Sequence, residues 1–526
     1  MIIAKRTVVE VKNYFWNDCP PLQYLFSIFD PIEHSYYYRA MEYEEDTNTL
    51  YLPRGMDISK IERYMKTNIV VDKSYDEYDK IGPILIKSLP RNDVQKKSIK
   101  FILGLQEFSY TKGFSQLCLN LVTGKGKTYV TIASIAYLEI RFIVIAPISS
   151  WLAQWKEKAL QYTNFKEDEI VKLSGTIIDK ILDGRIDYRK IKMYISTHTT
   201  LQNYGKTRGW DKLHEFFKVA RIGIKVFDEA HLCFESVSLI DFHTNVYKTL
   251  YVTASPSRSN ERENKIYQMY FERVPSIELF DRKVDARVTY LSIHFNSHPT
   301  PLILMQCRNR FKLDKVKYID WLMQNEWYWM MMYCVFCEAV LPAKGRILIL
   351  VEFNRCIEIW KNWIETYFPE YIGKIGTFHG ETSDREREIA KQQKIIISNR
   401  ACAGTAMDIE NANITLMAAV PIKSRVISQQ TFGRVGREGT TLPNMLYIDI
   451  VDMGFKVLKE YYAYRYPVYE KYANECRSYI YNDMKLKTDY DRYYKARNPV
   501  LVKPPWHIDL NLLKPKLIDP PYSIKL

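Results

Sequence analysis

Residues 117–122 (Leu-Cys-Leu-Asn-Leu-Val) are apolar enough for a buried strand, and residues 129–136 (Tyr-Val-Thr-Ile-Ala-Ser-Ile-Ala) for a buried helix. Between them stand Thr123, Gly124, Lys125, Gly126, Lys127 and Thr128. A strand that passes through a short glycine-bearing loop straight into a helix constrains the fold more than any other stretch, because such a helix carries the chain back to lay the next strand parallel to the first. Short β-rich runs alternating with helical or polar stretches fill residues 117–255. They recur at 346–353, 374–379, 394–398, 414–420 and 445–451. The expected fold class is α/β, with two tandem units that each hold a parallel sheet wrapped by helices.

The loop at 123–128 also carries chemistry. Gly124 and Gly126 let the backbone curl so that its N–H groups face phosphate oxygens. Lys127 then reaches the β- and γ-phosphates of ATP, and the Thr128 hydroxyl completes a Mg²⁺ site. The general pattern asks for a glycine five residues before Gly126, where Leu121 stands, and the less favoured alternative for the segment alone is a Gly/Lys-rich surface turn. A second segment changes the balance. Asp228 closes the apolar run 222–228, where a carboxylate holds Mg²⁺, and Glu229 beside it orients or deprotonates the attacking water. The bland alternative is a solvated helix start. Downstream, residues 430–437 (Gln-Thr-Phe-Gly-Arg-Val-Gly-Arg) hold Gln430 and two arginines, Arg434 and Arg437, as candidates to meet a transferring phosphoryl group. An arginine of that kind is worth ~10³–10⁵ in turnover; the alternative is a basic turn on backbone phosphate.

Asp228-Glu229-Ala230-His231 resembles the DEAH form of the Walker B motif. With 123–128 and 430–437 the chain looks like a superfamily 2 helicase or translocase over residues 88 to 482. That resemblance implies two RecA-like lobes with ATP between them, and nucleic-acid-stimulated hydrolysis coupled to their closure. It implies that Gln95 reads adenine and that Asp408, in the stretch 404–408, belongs to the nucleotide site. It implies nucleic-acid contacts at Pro147 and Ser149 in the Ia-like segment 146–155, at Thr197 in the Ib-like segment 195–201, and at Phe353, His379 and Thr405. Ala406 stands where the family usually has glycine, and Ser255 where threonine is commoner; neither change removes a catalytic atom. Residues 36–39 and 49–55 are also similar to phage recombination helicases of the UvsW type. The partners implied are DNA (single-stranded, forked or branched), with RNA as the alternative, and replication or recombination proteins. A different class, a non-catalytic nucleic-acid-binding or virion protein that kept the fold, is disfavoured by the intact Lys127, Thr128, Asp228, Glu229, Arg434 and Arg437.

Length and composition agree. The 526 residues permit two to four domains, and a formal charge of +14 favours a polyanionic partner. The longest strongly apolar stretch, 327–340, contains Glu338 and falls short of the ~20 residues a membrane helix needs, so it is read as a buried helix. No signal peptide is evident, and nine scattered cysteines suit a reducing cytoplasm. The Cys334/Cys337 pair lacks a second pair for zinc and reads as core. Expected boundaries are 1–88, an α+β accessory domain gripping duplex or branched substrate; 89–285, lobe one; 286–340, a connecting strand and helices; 341–455, lobe two; and 456–526, a helix and Pro-containing tail. Residues 456–482 read as one long helix interrupted near Pro467. From 461 to 494, eleven tyrosines interleave with cations. Such a pattern suits base stacking, and it suits equally a helix packed on lobe two, which we favour.

Overall fold

The structure is a computed structural model that describes all residues except 16–17, 31–34, 38–39, 122–125, 254–260, 280–287, 310–311, 403–408, 410–411, 436–444 and 481–526. It divides into two units, Met1–Phe280 and Asp281–Leu526.

The first unit opens with short strands β1 (Ile2–Ala4), β2 (Val8–Lys12), β3 (Ile28–Asp30), β4 (Ser35–Tyr37), β5 (Glu42–Glu44), β6 (Thr49–Pro53) and β7 (Ile69–Val71). Five of them form a sheet in the order β5-β6-β2-β1-β7, antiparallel except for β1 against β7, while β3 and β4 pair separately. The expected parallel sheet follows: β8 (Gln116–Leu121), β9 (Phe142–Ala146), β10 (Ile170–Lys172), β11 (Met193–Thr197), β12 (Ile224–Asp228), β13 (Lys248–Thr253) and β14 (Ser276–Leu279). Its order is β10-β11-β9-β12-β13-β8-β14, and every pairing is parallel. β8, β9 and β13 are buried at every residue, as befits strands covered on both faces. In such a sheet the carboxyl ends of the strands are where ligands are held.

The two sheets of this unit share one core. The helix Phe234–Phe242 packs on β2 and β6, and Val9, Leu50 and Leu52 join Phe234, Ile240 and Tyr270 in a single buried cluster. The Gly55 N-terminal to this contact is required by space: a Cβ there would lie 2.4 Å from the Tyr270 carbonyl oxygen, and the Gly55 carbonyl accepts from Arg273 N at 2.7 Å. Polar groups cross the same seam. The Thr7 hydroxyl lies 2.9 Å from the carbonyls of both Asp241 and Thr244. Asp241 itself is fully buried and pairs with the equally buried Lys225 at 2.6 Å, while the Tyr251 and Tyr270 hydroxyls donate to it. A lysine inside the apolar run 222–228 is thus held by a specific carboxylate. Beyond β7 the chain straps the parallel sheet: Asp76 N donates to the Asn245 carbonyl, Lys80 bridges to Ile140, and Ile86 bridges to Thr163.

The second unit contains β15 (Val288–Phe295), a small hairpin of β16 (Arg308–Asn309) and β17 (Lys312–Leu313), then β18 (Arg346–Val351), β19 (Ile375–Phe378), β20 (Ile395–Asn399), β21 (Ala412–Ala419), β22 (Met445–Asp452) and β23 (Glu475–Ile480). The large sheet runs β19-β20-β18-β21-β22-β15-β23, again all parallel. The chain is therefore α/β with two RecA-like parallel-sheet lobes. β15, expected in a connecting segment, is an interior strand of this sheet. The long helix expected over 456–482 needs correction: it spans Lys456–Tyr472 with Pro467 inside it, and the chain then forms β23 alongside β15. The stretch 326–340 is helical throughout, and its Tyr328, Met331, Met332 and Phe336 are buried around Trp360. Arg465 is buried with two 2.9 Å hydrogen bonds to Asp449 and a third to the Ile422 carbonyl; burial and the partnered carboxylate act in opposition on it, with the carboxylate prevailing to raise its pKa.

Candidate nucleotide site

The carboxyl ends of β8, β12 and β13 gather the residues expected at the nucleotide. Thr123, Gly124 and Lys125 lie outside the described residues. Gly126 has φ +81°, a left-handed conformation that glycine tolerates, and it precedes the helix Lys127–Leu138. A Cβ on Gly126 would stand 2.3 Å from Gln95 Nε2, so Gln95 packs directly against the loop glycine. Gln95 is fixed there from its own helix Asp93–Leu103: Asn92 caps that helix by accepting from Gln95 N, and the Gln95 side-chain oxygen accepts from Arg91 N at 2.8 Å.

Lys127 opens the helix after the loop, and its ammonium lies 2.5 Å from Glu229 Oε1, with the two side chains only 12% and 13% exposed. Glu229 follows the last residue of β12 and has φ +45°, a left-handed conformation unfavourable for a residue with a Cβ. Its second oxygen lies 3.4 Å from His231, which in turn hydrogen-bonds the Thr253 hydroxyl at the end of β13 at 2.8 Å. Asp228 is pushed up to about 6 by burial and next by the neighbouring Glu229 carboxylate, while Lys127 and the Trp155 indole pull the other way. The indole Nε1 of Trp155 donates to Asp228 Oδ2 at 2.7 Å.

These groups fit Mg-ATP. A glycine with no room for a side chain, an ammonium at a helix start, and two adjacent carboxylates of which one is penalised for its charge are what a bound phosphate and a divalent cation would satisfy. Lys127 would take phosphate oxygens, and Asp228 and Thr128 would hold the metal.

The Asp228 carboxyl gives a pH prediction. Its pKa in the folded chain, about 6, lies above the ordinary 3.8, so its ionisation costs stability. That cost is absent below about pH 4 and complete above about pH 6. Without metal or nucleotide, Asp228→Asn is expected to lie close to the parent chain at pH 4 and to exceed it by about 3 kcal/mol at pH 7.5. Urea titrations at the two pH values check this; equal stability at pH 7.5 would contradict it.

Of the expected nucleic-acid contacts, Pro147 and Ser149 follow β9 and Thr197 ends its neighbour β11, with Thr197 paired to Ala146 in register. They therefore share one end of the sheet with Asp228. Ser149 is exposed and accepts from Lys172 Nζ at 2.6 Å, and Thr197 caps the helix His198–Arg208 through Thr200 N. In the second unit Phe353 follows β18 with the Arg355 guanidinium 4.6 Å from its ring centre, and His379 follows β19 with its backbone N–H donating to Thr382. Gln430 and Arg434 are both buried. The helix Arg425–Phe432, which includes Gln430, is anchored to β22 by the 2.8 Å contact of Thr431 with the Tyr447 hydroxyl. Thr405, Asp408 and Arg437 lie outside the described residues. Trp155 and His231 each touch an acidic residue of the site, and sequence reasoning gave neither a role of its own. His231 was readable from the Asp228-Glu229-Ala230-His231 quartet; nothing in the local sequence pointed Trp155 at Asp228.

Residues 88–258 match the family described as "Type III restriction enzyme, res subunit". The chain is 24% identical over 194 residues, 34% of its length, to the "General transcription and DNA repair factor IIH helicase/translocase subunit XPB" of Encephalitozoon cuniculi (strain GB-M1), and it spans about a quarter (26%) of that protein. Among solved structures it is similar to T4 UvsW, with 14% identity, TM-score 0.34 and coverage of 91% of this chain and 99% of that one. It is also similar to S. cerevisiae Dbp5 bound to RNA and ADP BeF3, with 13% identity, TM-score 0.46 and coverage of 75% and 93%. The family match falls on the segment that holds Gln95, Lys127, Asp228 and Glu229.

Proposed function

We propose that the chain is an ATP-dependent DNA helicase or translocase that couples Mg-ATP hydrolysis to unwinding or branch migration, in the manner of phage recombination and replication helicases. The observation that carries this reading is the Lys127–Glu229 pair beside Asp228, with Gln95 against Gly126, at the same sheet end as Pro147, Ser149 and Thr197. Lys127 exchanges Glu229 for phosphate oxygen, and the freed carboxylate takes a proton from the attacking water. Thr128 and Asp228 would hold a Mg²⁺, and that ion would supply charge neutralisation at the phosphates. In the second unit, we assign Arg434 and Arg437, with Gln430, to charge on a transferring phosphoryl group. A surplus of positive charge and the Ia-like and Ib-like loops favour a nucleic-acid track.

The test is ATP hydrolysis and strand displacement across single-stranded DNA, duplex, fork, four-way junction and RNA hybrid at matched salt. Hydrolysis is expected to rise with at least one DNA, and Lys127→Ala to lower it ~10²-fold or more, since it removes a preorganised charge on the reacting phosphate. Wild-type turnover in Lys127→Ala would overturn the reading. Stimulated hydrolysis with no displacement on any substrate would leave a translocase that does not separate strands.

A further inference from the structure

Trp155 is 2% exposed and lies on the helix Ser149–Tyr162, 73 residues from Asp228 in sequence, yet its indole reaches Asp228 Oδ2 at 2.7 Å. An indole nitrogen donates and cannot accept. It therefore occupies one oxygen of the carboxylate and limits rotation of the group. The same helix starts at the exposed Ser149, just after β9. Six residues of α-helix, a rigid rod of ~9 Å, separate the two positions. A second tryptophan on this helix supplies a comparison. Trp151, one turn nearer the exposed end, is also buried at 5%, but its indole nitrogen has no hydrogen-bond partner among the described residues. Two buried indoles on one helix thus differ in whether they hold the acidic site.

Resting on the nucleotide-site reading above, we propose that Trp155 is a positioning residue that orients the Asp228 carboxylate and carries to it any displacement of the helix start when a nucleic-acid backbone engages Ser149. Trp155 touches no reacting atom; it acts through Asp228. The arrangement gives a direct mechanical route from the expected track to the expected metal ligand within one unit, through a single helix and a single hydrogen bond.

The full chain is labelled with 5-fluorotryptophan, and Trp155→Phe and Trp151→Phe assign the two ¹⁹F resonances. The Trp155 resonance is expected to move in Asp228→Asn and again on addition of a 20-nucleotide oligothymidylate or oligouridylate, with the Trp151 resonance moving much less. In a second arm, Mn²⁺ binding in the presence of ADP is followed by electron paramagnetic resonance. Trp155→Phe is expected to weaken Mn²⁺ by ~10-fold, the lower range for loss of a group that orients a metal ligand. Trp151→Phe makes the same change in side-chain atoms without losing a hydrogen bond, and is expected to stay within about twofold on the same basis. Mn²⁺ affinity in Trp155→Phe equal to the parent's overturns the positioning role. A Trp155 resonance that stays in place with oligonucleotide bound, or failure of both oligonucleotides to bind, overturns the transmission. If Trp155→Phe does not fold, Trp155→Tyr takes its place in the assignment and in the Mn²⁺ comparison. Full hydrolysis in Lys127→Ala would instead sink the nucleotide-site reading, whereas an inactive Lys127→Ala together with unchanged Mn²⁺ binding in Trp155→Phe sinks this proposal alone.

Discussion

Glu229→Gln is expected to bind Mg-ATP with an affinity within a few-fold of the parent chain while hydrolysing it ~10³-fold more slowly, the loss typical of a removed general base. The substitution isolates the proton-accepting role because almost everything else is conserved. Gln has the same length, so the left-handed backbone at φ +45° costs the same in both chains. Lys127 keeps an oxygen to donate to. The neighbouring Asp228 gains, since the Glu229 charge is the second cause, after burial, of its raised pKa; relieved of it, Asp228 ionises more readily and holds metal at least as well. Binding and chemistry should therefore separate. Isothermal titration with a non-hydrolysable ATP analogue, alongside single-turnover hydrolysis, measures both. Equal loss of affinity and turnover would mean that Glu229 serves the phosphate-binding lysine rather than the water.

Removal of residues 1–88 is expected to cost unit 1 its native state, a loss on the scale of a whole domain's ~5–15 kcal/mol. The five-stranded sheet covers the helix Phe234–Phe242 and Tyr270, so its deletion bares a face that is otherwise core. Thr7 no longer meets the Asp241 and Thr244 carbonyls. The strap over residues 72–88 also disappears, and with it the bridges to Ile140 and Thr163. Near-ultraviolet circular dichroism and dye binding to exposed apolar surface check the outcome. A shortened chain starting at Leu89 that stays monomeric, retains its near-ultraviolet signal and still hydrolyses ATP would refute this.

The chemistry-bearing part of the first unit was legible because it is local. A strand, a glycine and a helix lie within 22 residues at 117–138, and an apolar strand ends directly on Asp228-Glu229. Parallel sheets follow from strands that alternate with helices, so the order of elements carried the fold class. What was not legible depends on distant residues. β23 was read as helix because Tyr and Arg suit an amphipathic helix as well as an edge strand, and its pairing with β15 spans more than 180 residues. The strap at 72–88 has no apolar period; it is held by backbone bridges. Lys225 in an apolar strand is explained only once Asp241 folds over it. The tyrosines at 461–472 were ambiguous by pattern, and the burial of Tyr461, Tyr462 and Tyr469 together with the Arg465–Asp449 pair puts that helix in the core of its unit.

The shared core of the first unit also sets the order in which the chain can mature on the ribosome. Strand β2 is made early, yet the helix that packs on it, Phe234–Phe242, comes more than 200 residues later. At ~5–20 residues per second the apolar faces of Val9 and its neighbours wait for ten seconds or longer before their partners emerge. Closing so long a loop is slow for reasons of chain entropy. Biosynthesis of this protein should therefore lean on holding factors that cover an early strand, and slowing translation between residues 12 and 234 should raise the aggregated fraction without any change in the sequence of the finished chain.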